Sequence, residues 1–250
     1  MKYNQSDLEY LKKYIKEKKL DDNYYQESLK KLEQGKPIQY IIGNVNFYGN
    51  IINVNESVLI PRYETELLVD LTIKKISQIF KNKQIDILDL GTGSGCIAIT
   101  LKKEVNSNVD ALDISSDALE VSKQNAINNN VDINFIEYDM TLYKEKKYDV
   151  IISNPPYIRY DEEIMEIVKQ NEPHIALYAE DDGLYFYKRI IDNIPYITKE
   201  KYLVCFEIGQ HQSTDIVDYA KKHLDNINIS VHKDYSDKER FIFITNELNN

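Results

Sequence analysis

Ile85-Asp86-Ile87-Leu88-Asp89-Leu90-Gly91-Thr92-Gly93-Ser94-Gly95-Cys96 is the stretch that decides the fold. The apolar run Ile85–Leu90 reads as a buried strand, and a helical stretch from Cys96 to Lys103 follows the glycine turn. Strand, glycine turn and helix in that order make the first half of a βαβ unit. Downstream, further strand-like runs recur at Val109–Ile114, Ile133–Tyr138, Tyr148–Ser153, Tyr202–Ile208, Ile227–Val231 and Phe241–Ile244. Helical stretches separate most of them, which predicts an α/β, doubly wound, mostly parallel sheet. The last two runs are joined by the polar loop His232–Arg240, where no helix fits, so the final strand is expected to run antiparallel.

Upstream the pattern differs. Residues 1–36 read as two amphipathic helices, the first opening on a capping box Ser6-Asp7-Leu8-Glu9, the second capped by Asp21 or Asp22 and stopped by Gly35 and Pro37. Two short helices bury little surface alone, so they form a small docking unit or present a face to a partner. Residues 37–62 read as short strands or a β-hairpin with turns at Gly43-Asn44 and Gly49-Asn50, a linker ending at Pro61. Residues 63–250 form the Rossmann-like domain and begin with a helix from about Glu64 to Phe80.

Composition narrows the function. The net charge of −10 opposes a protein that holds nucleic acid through phosphates and favours a protein or small-molecule substrate. No apolar stretch reaches the roughly 18 residues of a membrane span, and Met1–Ser6 leads into a charged helix without an apolar signal core, so a cytoplasmic protein is expected. Cys96 and Cys205 lie far apart and read as small buried apolar residues. His174, His211, His223 and His232 have no ligand spacing, and no metal is expected.

The glycine turn lets a ligand approach bare backbone amides. Asp113 ends the next strand, 22 residues after Gly91, at the distance that suits a ribose diol. These features indicate an adenosine-containing cofactor, with a nicotinamide dinucleotide as one option. Two details favour S-adenosylmethionine. Cys96 stands where the dinucleotide fingerprint has its helix-packing glycine. Asp89 directly precedes the turn, where an acid meets a cationic amino group but repels a pyrophosphate. The cofactor candidates are thus Asp89, Gly91, Thr92, Gly93, Ser94, Gly95 and Asp113. Asp139 and Met140, read as ending the third strand of the sheet, either bracket an adenine or, for the Asp, cap a loop.

Asn154-Pro155-Pro156-Tyr157 closes the run Tyr148–Ser153. Consecutive prolines force a rigid turn and leave Asn154 at the strand's carboxyl end, where open α/β sheets hold ligands. A side-chain amide oxygen, proline-fixed carbonyls and an aromatic ring suit an NH2 group on a flat, conjugated substrate. The Asn154 oxygen and the Pro155 carbonyl are expected to accept its two hydrogens, with Pro156 and Tyr157 walling it and Asn154 also facing the cofactor. No general base is evident beside Asn154, so proton loss is expected to follow methyl transfer.

With these residues in place the chain resembles class I methyltransferases acting on planar nitrogens, and more closely the release-factor glutamine methyltransferase family. The resemblance runs nearly end to end, through Pro37–Gly43, Phe47–Gly49, Val58–Arg62, Glu64–Glu66, Asp89–Gly95, Ser153–Ile158, Glu172-Pro173, Ala176-Leu177, Asp182–Leu184 and Glu207–Gly209. It departs from the family pattern at Tyr63, Asn171, Met140 and the glycine-free loop Asp234–Arg240. The resemblance implies a seven-stranded methyltransferase sheet and N5-methylation of the glutamine in the Gly-Gly-Gln loop of peptide chain release factors. It also implies a monomer whose helical amino-terminal unit docks the release factor. An N6-adenine methyltransferase would use the same Asn154–Tyr157 geometry but needs a basic groove or a recognition domain. A catalytically dead binding module would be expected to have lost the glycine turn or Asn154, and both are present. Arg62, Glu64 and Glu66 read either as orienting groups or as a polar helix start. Glu172-Pro173 and Asp182-Gly183 read as turns, and His211 as a helix cap.

Overall fold

The computed structural model describes residues 3–81 and 83–247. The chain opens with α1 (Gln5–Lys18), α2 (Asp22–Glu33) and the short α3 (Ile38–Ile42). An antiparallel hairpin follows, β1 (Asn44–Phe47) paired with β2 (Asn50–Asn53). Asp21 caps α2 by accepting from the Tyr24 N–H. Asn4, and not Ser6, caps α1: its side chain accepts from the Ser6 N–H and places Ser6 inside the first turn.

The run Ile38–Ile42, expected as a strand, is a helix. Pro37 starts it and Gly43, with φ of 82°, closes it in the left-handed region. The cause is two-sided burial. Ile38, Ile41 and Ile42 pack with Leu11 and Leu32 of α1 and α2, while Tyr40 joins the large core behind the sheet. A short run apolar on all sides has no period to read.

The main sheet contains β3 (Ile85–Leu90), β4 (Ser107–Asp113), β5 (Asn134–Glu137), β6 (Tyr148–Ser153), β7 (Thr198–Glu207), β8 (Asn228–Lys233) and β9 (Glu239–Thr245). Its order is β5-β4-β3-β6-β7-β9-β8, parallel except for β9, which is antiparallel to both neighbours. The mostly parallel seven-stranded sheet and the antiparallel end are as the sequence predicts. Along β6, Val150 and Ile152 face one core and Ile151 the other, so both sides of the sheet are covered. One face carries α4 (Tyr63–Phe80), α5 (Cys96–Glu104) and α6 (Ser116–Asn128). The other carries α8 (Tyr185–Ile197) and α9 (Ser213–His223), with the short α7 (Glu166–Asn171) in the long connection after β6. Helix α4 buries Thr65, Leu68, Val69, Thr72, Ile76 and Phe80, the stripe of an amphipathic helix.

Strand order reverses between β3 and β6, so their carboxyl ends open a crevice. Register aligns what borders it. Leu90 pairs with both Leu112 and Ser153, and Ser153 pairs with Phe206. The glycine turn, Asp113, Asn154 and Glu207 therefore stand at one level along one edge of the sheet.

Candidate active site

Two cavities meet in this crevice. The first, of about 260 Å³, is walled by Gly91–Ser94, Asp113, Asp139, Met140, Asn154 and Pro156. The second, of about 370 Å³, is walled by Asn154, Pro155, Tyr157, Met165 and Glu207. Asn154 and Arg62 border both. The alternation of side-chain directions after β6 thus sends Pro155 and Tyr157 to the second cavity and Pro156, expected beside the substrate amide with them, to the first.

The turn of the first cavity is pinned from both sides. At Gly95 (φ 81°) a Cβ would lie 3.0 Å from the Ser122 Cβ, so the turn sits hard against α6. Asp113 accepts from the Gly93 N–H at 2.8 Å and the Ser115 N–H at 3.0 Å. Burial pushes its carboxyl above the usual range, and these hydrogen bonds pull it back. Asp139 lies beyond the end of β5, in the turn after it, and its Oδ1 accepts from both the Thr141 N–H and the Thr141 hydroxyl. It caps the loop and borders the cavity at once.

Asp89 sits under the turn, fully buried and off the cavity wall. Its Oδ2 accepts from the Thr92 hydroxyl at 2.7 Å, while its Oδ1 has no hydrogen-bond partner among the described residues. Burial raises its carboxyl to about 7, against the Thr92 hydrogen bond.

Asn154 is held by a chain that sequence reasoning does not contain. Its Nδ2 donates to the Thr65 Oγ1 at 3.3 Å, and the Thr65 hydroxyl donates to the Glu207 Oε2 at 2.7 Å. Burial raises the Glu207 carboxyl to about 7, countered by Thr65 and by the charge of Arg240. Among the described residues no carboxyl hydrogen-bonds to Asn154 itself, and Glu207, which the sequence does not single out, lies two hydrogen bonds away through Thr65. One signal was present, an acid inside the otherwise apolar run Tyr202–Ile208, but its destination depends on the pairing of β7 with β6.

Arg62 donates to the Glu172 Oε1 at 2.5 Å and to the Ile60 carbonyl at 3.0 Å, and the Ile60 N–H donates to the Glu172 Oε2 at 3.1 Å. Glu172, read from sequence as part of a turn, is a buried clasp that closes the Ile60–Arg62 segment over the site. Glu172→Ala is expected to cost about 1–3 kcal/mol by leaving the Ile60 amide and Arg62 unpaired. Denaturant midpoints check it, and an unchanged midpoint would assign that segment's position to other contacts. Glu64 and Glu66 lie in the first turn of α4 and border neither cavity, which leaves them the helix-start reading.

His211 does not cap α9. Gln212 precedes that helix, accepting from the Gly209 N–H at 2.8 Å and donating to the Tyr157 carbonyl at 3.0 Å. It ties the end of β7 to the proline turn. Cys96 and Cys205 are buried free thiols, both pushed up to about 12 by burial. Among the described residues no His, Cys, Asp and Glu side chains cluster as a metal site would need, and no helix is long and apolar enough to cross a membrane.

The Methyltransferase small domain family matches residues 65–175. A methyltransferase structure from Pyrococcus furiosus superposes with a TM-score of 0.59 at 15% identity, covering 80% of this chain and 91% of that one, a likeness of fold. A release factor glutamine methyltransferase of Bacillus subtilis (strain 168) is 42% identical over 217 residues, 84% of this chain and 75% of the relative. One from Flavobacterium psychrophilum is 42% identical over 220 residues, 86% of this chain and 77% of the relative. Identity at that level over more than four fifths of the chain means that the chain belongs to the release factor glutamine methyltransferase family.

Proposed function

We propose that this protein transfers a methyl group from S-adenosylmethionine to the side-chain amide nitrogen of a glutamine in the Gly-Gly-Gln loop of peptide chain release factors. The observation that carries the reading is the position of Asn154 between two cavities, one suited to the cofactor and one to the amide. The cofactor fits the residues present. Asp89, expected to meet the amino group directly, is held beneath the turn and favours a cation only through its charge, while the carboxylates of Asp113 and Asp139 border the cavity where a dinucleotide would need to place phosphates. Asp113 would hold the ribose hydroxyls, and Asp139 and Met140 the adenine. When bound, S-adenosylmethionine supplies a methyl group already activated by a sulfonium.

What remains for the protein is orientation. An amide nitrogen shares its lone pair with the carbonyl and is a weak nucleophile. Because Nδ2 of Asn154 is taken by Thr65, its Oδ1 is the atom left to accept from the substrate NH2. The Pro155 carbonyl accepts the second hydrogen, which aims the nitrogen at the methyl group and favours positive charge developing on it. Tyr157 walls the amide and excludes water. Residues 1–36 act as the docking unit for the release factor, residues 37–62 join them to the catalytic domain of residues 63–250, and the protein works as a cytoplasmic monomer without nucleic acid.

The test is transfer of label from tritiated cofactor to a release factor, bulk DNA and bulk RNA. Label in the release factor, lost when its loop glutamine is replaced, is expected. Label in nucleic acid alone would make the chain an adenine methyltransferase. Asp113→Ala is expected to weaken cofactor binding about 10²- to 10⁴-fold by calorimetry, the loss of two hydrogen bonds to a charged group. A fall in kcat at unchanged Kd would remove the ribose role.

A further inference from the structure

We propose that Glu207 is a positioning residue: through Thr65 its charge state sets which end of the Asn154 amide faces the substrate. The inference rests on the methylation reading above and extends it to a buried residue that borders the second cavity and reaches Asn154 only through Thr65.

The direction of each hydrogen bond carries the argument. A hydroxyl has one proton. While Glu207 is a carboxylate it can only accept, so the Thr65 proton points at it and a Thr65 lone pair points at Asn154. Only Nδ2 can answer a lone pair, and Oδ1 is left toward the second cavity. Protonated Glu207 gains an O–H, which, unlike an amide oxygen, it can aim at the Thr65 oxygen. In that arrangement the hydroxyl proton turns to Asn154, which answers with Oδ1 after an amide flip. Nδ2 would face the substrate NH2, donor against donor, and the nitrogen would lose its anchor. The site therefore works with Glu207 ionised and idles with it neutral.

The surroundings allow that switch near neutral pH. Glu207 is 2% exposed, and burial raises its carboxyl to about 7. Its charged neighbours are Arg240 from β9, Arg62 before α4 and Glu64 in the first turn of α4. Tyr157 and Tyr187 face it from the proline turn and from α8, and the Cys96 thiol of α5 also senses its charge. The two cations are otherwise engaged. Arg240 pairs with Asp234 at 3.3 Å and Arg62 with Glu172, so neither clamps Glu207 in its charged form.

The sign is fixed by the mechanism. Activity belongs to the carboxylate, so kcat should fall as pH drops through the Glu207 pKa. With release factor as substrate, wild type is expected to show that acid limb. Thr65→Val should lower kcat at least about tenfold at pH 8 and remove the limb, with cofactor Kd within about twofold of wild type. Thr65→Ser, which keeps the hydroxyl, should restore both rate and limb. Glu207→Gln, whose Oε1 still accepts from Thr65 but cannot titrate, should keep partial activity that does not vary across the limb. A limb that survives in Glu207→Gln, or a Thr65→Val enzyme as fast as wild type, would overturn the proposal.

A second readout needs no substrate. In protein labelled with 15N at asparagine, the side-chain NH2 signals of Asn154, identified by their loss in Asn154→Ala, should titrate with Glu207 and stop titrating in Glu207→Gln. Signals that ignore pH in wild type would refute the relay. If wild type fails to methylate the release factor while these signals still titrate, the substrate reading is what fails.

Discussion

Asn154→Ala is expected to lower kcat for glutamine methylation about 10²- to 10³-fold and to leave S-adenosylmethionine binding nearly unchanged. The size is that of losing one preorganised polar contact at a site where charge develops. Asn154 stands between the two cavities and has only its Oδ1 to offer the amide, since Nδ2 is committed to Thr65. Removing it deletes the acceptor that orients the nucleophile, and the Pro155 carbonyl alone cannot fix a nitrogen that rotates about one contact. The cofactor keeps its own partners, because Asp89, Asp113 and Asp139 are carried by β3, β4 and the turn after β5 and do not hydrogen-bond to Asn154. Single-turnover rates and calorimetric Kd separate the two quantities. Turnover equal to that of wild type would remove Asn154 from the mechanism, and a large loss of cofactor affinity would show that it serves mainly as a cofactor wall.

Gly183→Ala is expected to destabilise the protein by about 2–5 kcal/mol and to slow methylation in the fraction that remains folded. Gly183 has φ of 81°, a left-handed conformation that costs an L side chain about 1–2 kcal/mol. A Cβ there would also lie 2.2 Å from the Tyr157 backbone oxygen, so the chain must move, at a further cost of about 1–3 kcal/mol. The Tyr157 oxygen is the one that Gln212 holds at 3.0 Å. Displacing it shifts the proline turn and with it the Tyr157 ring that walls the second cavity. Thermal or denaturant unfolding measures the first effect, and kcat corrected for the folded fraction measures the second. A variant that melts and turns over like wild type would show that the segment around Gly183 yields freely and does not support the proline turn.

The elements with strong local patterns were legible in advance. The glycine turn after Ile85–Leu90 and the alternation of strands and helices point to a doubly wound sheet because a parallel strand buried on both faces must be a short, continuous apolar run. The antiparallel β9 follows from the lack of room for a helix in the His232–Arg240 loop. Asp113 and Asn154 were found by their places after strands, and both border the cavities. The N-terminal cap and Ile38–Ile42 were misread. An Asn two residues ahead of Ser6 competes for the same amides, and a run buried on every side loses the period that tells helix from strand.

Sequence by itself determined the sheet, the glycine turn, the rigid proline turn Asn154–Tyr157 and the family, all of them properties written within a few neighbouring residues or in a long match. Tertiary structure alone decided what holds Asn154. Thr65, Asn154 and Glu207 come from the start of α4, the end of β6 and the end of β7, and 89 and 142 residues separate the hydrogen-bonded pairs. It likewise decided that Asp89 lies beneath the turn and that Glu172 clasps Arg62 across 110 residues. Such contacts have no local signature. They arise because parallel strands in register bring distant carboxyl ends to one level, and only the folded sheet specifies that register.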